Sequence, residues 1–194
     1  MNTPHKIILA SQSPRRQQLL RDMGFTFETV VRPSDEHIQE NLSPKEVAIS
    51  IAQSKAENYR DLSHDHIIIT ADTIVVSGDE IMGKPANRQD AVDMLRKLSG
   101  KTHSVISGVT ILYKEQFHSF AEETFVSFRT LDDEEIYYYA DHYKPYDKAG
   151  AYGIQEWIGM IGVRAIEGDF YNVMGLPAGR LYAELKSFTQ IELS

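Results

Sequence analysis

Six consecutive residues, His66-Ile67-Ile68-Ile69-Thr70-Ala71, constrain the fold of this chain more than any other stretch. A β-branched run with no polar alternation cannot turn one face to water, so it reads as a strand covered on both faces inside an α/β sheet. It delivers Asp72-Thr73 at its end, and Ile74-Val75-Val76 continue the extended chain. The start of the chain repeats the logic. Ile7-Ile8-Leu9-Ala10 reads as a strand, stops at Ser11-Gln12-Ser13-Pro14-Arg15-Arg16 and turns helical through Leu19 and Leu20. Further along, the patterns predict a first helix ending near Gly24, a strand over 25–31 that stops at Pro33, and a helix from Ser43-Pro44 toward Tyr59. A short segment follows over 81–85. The next helix runs over 87–98 with Ala91, Met94, Leu95 and Leu98 on one stripe and Gly100 at its C-cap. Strands over 103–113 and 122–130, a helix from Asp132, a polar loop over 143–155, an extended segment over 160–166 and a closing helix over 176–188 complete the reading. No linker, repeat or low-complexity tract interrupts the 194 residues. One domain with two packed lobes is the simplest organisation.

Composition narrows the partners. With 20 basic and 28 acidic residues the net charge is −8, and most of such a surface repels a polymer of phosphates. A nucleic acid partner is therefore not expected, whereas a small anion held at a local cationic pocket is. There is no cysteine, which excludes disulfides, thiolate catalysis and cysteine zinc sites and fits a cytoplasmic location. No apolar run approaches the roughly 18 residues that span a bilayer, so no membrane association is expected, and the mature chain is expected to start near Met1. The seven histidines show no ligand spacing, and Walker, GxGxxG and GxSxG motifs are absent.

The remaining candidates for chemistry are few. A strand feeding a helix start makes an anion site: Ser13 can cap free N–H groups, Pro14 suits the first helical position, and Arg15 and Arg16 add forked cationic donors. The alternative is a capped helix with two solvated arginines. Asp72, a carboxylate leaving an apolar strand, calls for either a function or a capping role, and in open α/β sheets ligands gather at such strand ends. Lys55 by itself reads as a solvated lysine. Lys84, between Gly83 and Pro85 on a short rigid turn, is either an ordinary turn lysine or one aimed at a phosphate oxygen. Asp35 and Glu36 sit in an acidic loop. Trp157 and the run Tyr137-Tyr138-Tyr139 read as core, lobe packing or dimer contact. Taken together, Arg15, Arg16, Lys55 and Lys84 against Glu36 and Asp72 suit phosphoryl chemistry with a divalent ion, in which a carboxylate orients or deprotonates the attacking water.

Six ordered segments carry a family resemblance: 10–16 (ASQSPRR), Lys55-Ala56, Ala71-Asp72-Thr73, Gly83-Lys84-Pro85, 98–103 (LSGKTH) and 147–155 (DKAGAYGIQ). With 171–177 (YNVMGLP) near the end, the chain resembles the Maf family of nucleoside triphosphate pyrophosphatases over almost its whole length. The resemblance implies an elongated Maf/ITPase-like α/β fold, a central mixed sheet flanked by helices, and a cleft between two lobes. It implies hydrolysis between the α and β phosphates by water with Mg2+ or Mn2+, a homodimer, and pool house-cleaning. It also implies roles: Asp72 as general base and, with Glu36, metal ligand; Arg16, Lys55 and Lys84 on the triphosphate; Ser11 and Ser13 in substrate binding; Arg15 and Thr73 in substrate choice. The form of 147–155 is similar to the branch that prefers dTTP and UTP, with Gln155 near the base. An amide offers a donor and an acceptor that match uracil or thymine. Where the family usually places glycine after that glutamine, Glu156-Trp157 stands here. Two other readings stand beside it: the same fold acting on a purine or modified nucleotide, and a nucleotide-binding regulator of septum formation with vestigial catalysis.

Overall fold

The computed structural model describes residues 5–34 and 41–189. Its elements run β1 (Lys6–Leu9), α1 (Pro14–Asp22), β2 (Phe27–Thr29), α2 (Pro44–Glu57), β3 (His66–Ser77), β4 (Glu80–Met82), α3 (Arg88–Leu98), β5 (Thr102–Tyr113), β6 (Gln116–Phe128), α4 (Asp133–Tyr143), α5 (Trp157–Gly162), β7 (Val163–Glu167), α6 (Phe170–Met174) and α7 (Ala178–Thr189). Seven strands form one mixed sheet ordered β2-β1-β3-β5-β6-β7, with β4 paired to β3. β1 is parallel to both β2 and β3, whereas β4 and β7 pair antiparallel. This is the α/β class expected from the buried run at 66–71: Ile67, Ile68, Ile69 and Thr70 are all fully buried.

Two compact units divide the chain, one of residues 1–72, 107–122 and 175–194, the other of 73–106 and 123–174. In the first, Ile8, Ala56, Tyr59, Ile68 and Leu112 share one core cluster. Helix α2 lies tightly on the sheet there, for a reason visible in its sequence. Ala48, Ala52 and Ala56 recur every fourth residue on the buried face, and Gly108 of β5 leaves room where a Cβ would stand 2.2 Å from the backbone of Ala48. The Thr70 hydroxyl donates to the carbonyl of Ala52 at 2.6 Å and ties helix to strand. Caps start the helices where local chemistry dictates: Ser43 and Glu46 form a reciprocal capping box on α2, and Asp132 and Glu135 one on α4.

In the second unit, Ala91, Val92, Leu95 and Leu98 of α3 pack with Val105, Phe128, Ile136, Tyr139, Tyr152 and Ile158. His103 is inside this core, 2% exposed, edge-on to the rings of Phe128 and Tyr152. Its Nε2 shares a 2.7 Å hydrogen bond with the Tyr152 hydroxyl, while Nδ1 is buried without a partner. Burial pushes the imidazole down to about 4. The folded state therefore refuses a proton that the unfolded chain accepts near pH 6.5. Stability linked to His103 is complete above pH 6.5 and is lost as pH falls toward 4, by about 3 kcal/mol at the full shift. Urea melts at pH 7 and pH 5 should show a smaller acid loss in His103→Gln than in wild type; equal losses would remove His103 from the acid response.

Several elements differ from the sequence reading. Asp72 is not at a strand end: β3 runs on to Ser77 because Thr73, Ile74, Val75 and Val76 favour extended backbone as strongly as the residues before them. Residues 160–166 are not all extended. Burial at Ile158, Gly159 and Gly162 follows helical rather than alternating spacing, and α5 hands over to β7 only at Val163. β2 keeps only Phe27–Thr29 of the expected 25–31, since its partner β1 has four residues. β6 starts at Gln116 rather than near 122, because Lys114 and Glu115, both at positive φ, make a two-residue turn.

Candidate active site

The first group of candidate residues surrounds the exit of β1. The Ala10 amide donates to the carbonyl of Ile69 at 2.9 Å, carrying the β1–β3 pairing one residue past the strand. The chain then turns on Ser11, which is almost fully buried. Its hydroxyl accepts from the Ser13 amide at 3.2 Å and from Arg16 Nη1 at 3.4 Å, and its carbonyl accepts from Gln17 Nε2 at 3.3 Å. Ser13, extended at the N-cap, accepts from the Arg16 amide, with Pro14 next in line. The first turn of α1 contains no acid, so no carboxylate of the helix itself offsets its partial positive charge, a setting that suits an anion. Ser11, Ser13, Arg15 and Arg16 thus share one corner, and Arg16 is anchored: its Nε donates to the carbonyl of Gly175 at 2.8 Å.

Gly175 is the residue that sequence reasoning placed in a C-terminal signature without a task. Its carbonyl holds the guanidinium of Arg16 across 159 residues of chain.

Lys55 and Asp72 form the second group. Lys55 Nζ lies 2.7 Å from Asp72 Oδ1, with the two side chains 17% and 16% exposed. Lys55 is therefore no solvated lysine. The stripe of alanines and Gly108 bring α2 close enough to β3 for the side chain to reach. Both the pair and the Ser11–Arg16 corner lie beyond the paired residues Leu9 and Ile69 of the parallel strands β1 and β3, where open α/β sheets present ligand sites. Glu36, the expected second acid, lies outside the described residues.

The second unit carries the rest. Thr73, half-buried, follows Asp72 on β3. Lys84 is exposed on a turn whose Gly83 carbonyl accepts from the Gly150 amide at 3.1 Å. That bond joins the Gly83-Lys84-Pro85 turn to the 147–155 segment. Gly150 sits at φ +68 with Val75 against the place of a Cβ, so glycine is required there. Residues 151–154 are buried, and Gln155 emerges from them exposed.

What sequence reasoning missed here is the support beneath that glutamine. Lys148, 8% exposed, lies 2.7 Å from Asp147 Oδ1 and 3.1 Å from Glu156 Oε1. The Tyr139 hydroxyl donates to Glu156 Oε2 and accepts from the Gly153 amide at 3.0 Å. Burial and the adjacent Glu156 carboxylate hold the Tyr139 phenol well above its ordinary range, so it stays a neutral donor. Only the Tyr-Tyr-Tyr run and the acid at 156 hinted at this network.

The sequence matches the Maf-like protein family over residues 6–188. The chain belongs to the Maf family. Among curated Maf relatives, it is 54% identical to the dTTP/UTP pyrophosphatase of Parabacteroides distasonis, over 95% of this chain and 96% of the relative. It is 54% identical to that of Phocaeicola vulgatus, over 94% and 95%. To that of Porphyromonas gingivalis it is 48% identical, over 95% and 94%. Among solved structures, the Ham1 protein of Staphylococcus aureus aligns with a TM-score of 0.53 at 14% identity, covering 94% of this chain and 99% of that one. That likeness is of fold. Within this Maf chain, the anion corner follows β1, and Asp72, on the neighbouring parallel strand β3, pairs with Lys55 of α2; no described helix is long and apolar enough to cross a membrane.

Proposed function

We propose that this Maf protein hydrolyses dTTP and UTP to the nucleoside monophosphate and pyrophosphate, clearing unwanted pyrimidine nucleotides from the pool. The observation that carries the chemistry is the Lys55–Asp72 pair, 2.7 Å apart, beside a helix N-terminus that has no acid of its own. The pyrimidine preference rests on the relatives named dTTP/UTP pyrophosphatase, 54% identical over nearly the full chain. One domain, residues 1–194, carries the whole activity. We place it in the cytoplasm as a homodimer with no nucleic acid or membrane partner.

In the proposed reaction the triphosphate lies against the N-terminus of α1, where backbone N–H groups, Ser13 and the Arg16 guanidinium neutralise its oxygens. Ser11 acts mainly by shaping that turn, since its hydroxyl already accepts from Ser13 and Arg16. Asp72 takes a proton from water as the water oxygen attacks the α-phosphorus; the bond from that phosphorus to the bridging oxygen breaks, and pyrophosphate leaves with the electron pair. Lys55, by occupying Oδ1, fixes the orientation of the carboxylate and leaves its outer edge to the water. Lys84 adds a cation to the phosphates, Arg15 and Thr73 contribute to substrate choice, and the amide of Gln155 reads the base edge.

Asp72, the one carboxylate of the proposed set among the described residues, suits Mg2+ or Mn2+ delivered with the triphosphate, since such ions need only one or two carboxylates besides phosphates and water. Asp72 would hold it, with Glu36 as the second carboxylate. When bound, the ion neutralises charge developing on the phosphate oxygens.

Pyrophosphate release by the purified protein with Mg2+ or Mn2+, across dTTP, UTP, CTP, GTP, ATP and 7-methyl-GTP, tests this reading. Turnover concentrated on dTTP and UTP is expected. Turnover of another base keeps the chemistry and overturns the branch, and none with any nucleotide turns the reading toward a nucleotide-sensing regulator.

A further inference from the structure

We infer that Glu156, Lys148 and Tyr139 form a clamp whose task is to position Gln155, so that base discrimination depends on three residues that touch no substrate. This rests on the pyrimidine reading above. The segment 148–156 is closed on itself at two levels. Side chains close it through Lys148 on Glu156 at 3.1 Å and through Tyr139, which donates to Glu156 and accepts from the Gly153 amide at 3.0 Å. The backbone closes it again, with Glu156 N donating to Gly153 O at 3.0 Å and Ala151 N to Lys148 O at 3.1 Å. Between them Tyr152 is pinned to His103 at 2.7 Å. Gln155 is the one exposed residue in the stretch 150–155 that is otherwise buried or half-buried.

The placement of Glu156 supports a task of this kind. It occupies the N-cap position of α5 yet makes no side-chain hydrogen bond to that helix. Instead its carboxylate turns inward and packs over Gly153, where a Cβ would stand 2.8 Å from Glu156 Cδ. The adjacent glutamine is thereby held at a fixed point of a closed loop.

Fixing matters because an amide is two-faced. It can pair with uracil, accepting from N3–H and donating to a carbonyl, and after a half-turn with cytosine, donating to N3 and accepting from the exocyclic amine. Selecting one requires the amide to be held against surroundings that set its direction, and an unclamped loop both permits the other pairing and loses affinity through ordering on binding. The clamp lies away from Asp72 in the chain and serves the base, so it should act on KM far more than on kcat.

Steady-state kinetics with UTP and CTP, on wild type, Glu156→Ala, Tyr139→Phe and Glu156→Gln, test the clamp. Glu156→Ala and Tyr139→Phe should narrow the UTP-over-CTP ratio of kcat/KM by about tenfold, through a raised KM for UTP with kcat changed less than about twofold. Glu156→Gln keeps the side-chain length and an acceptor for Tyr139 and should recover part of the ratio. A folded Glu156→Ala protein with the wild-type ratio overturns the clamp, as does a loss confined to kcat. Should Glu156→Ala fail to fold, the ratio in Tyr139→Phe and Glu156→Gln decides in its place. Wild type lacking any preference for UTP over CTP would instead overturn the dTTP/UTP reading, before any variant is compared.

Discussion

Asp72→Asn is expected to lower kcat for UTP by about 10²- to 10⁴-fold, the range that a positioned general base contributes, while nucleotide still binds as tightly as to wild type or more so. The amide has the same shape and can still accept from Lys55, which sits 2.7 Å from Oδ1, so the local geometry should survive. What it cannot do is take the proton of water as the α-phosphorus is attacked. Removing a negative charge next to a triphosphate also lowers repulsion in the bound state, which is why affinity should hold or rise. Pyrophosphate-release kinetics and calorimetric titration with UTP separate the two effects. Lys55→Met gives the complementary result: Asp72 keeps its carboxylate and loses the partner that orients it, so kcat should fall less than in Asp72→Asn. A variant Asp72→Asn that turns over at the wild-type rate would move the base to another residue.

How far this site could be read from the sequence follows from the range of the forces that build it. The β1 to α1 corner was legible because its causes are local. A strand that stops, a capping serine, a proline at the first helical position and two arginines all lie within 10–16. Asp72 was legible as an acid following an apolar run, and 74–76 as a continuation of the extended chain; that both belong to one 12-residue strand was not, since Asp72 and Thr73 interrupt the apolar pattern between them. Lys55 was misread in isolation. Its burial depends on alanines one turn apart and on a glycine on β5, and on a carboxylate 17 residues away, none of which a window around Lys55 contains. The same holds for Arg16 and Gly175, and for Tyr139, Lys148 and Glu156. Short-range chemistry is written in the order of residues; these partnerships exist only once the sheet has assembled.

Gly108→Ala tests whether that assembly, rather than the individual site residues, sets the geometry of the Lys55–Asp72 pair. A Cβ at position 108 would stand 2.2 Å from the carbonyl carbon and oxygen of Ala48 and 2.6 Å from the amide nitrogen of Ile49. These are backbone atoms of α2, so no rotamer change relieves the overlap; the helix must lift from β5 by more than about 1 Å to reach ordinary contact distance. Lifting it loosens the bond from Thr70 to the Ala52 carbonyl and opens space beneath Ala48, Ala52 and Ala56, all fully buried. The expected cost is about 4 kcal/mol, at the upper end for a single substitution because backbone clash and lost packing add. In a chain of this size that corresponds to a fall in melting temperature of roughly 10 °C. Lys55 rides on the same helix, so the folded fraction should also show a lower kcat for UTP than wild type. Gly179→Ala is the matched control. Its Cβ meets nothing within 4 Å and lies in the first turn of α7, where no contact is disturbed, so it should melt close to wild type with unchanged kinetics. If Gly108→Ala melts with the control, the close approach of α2 is not what holds Lys55 against Asp72.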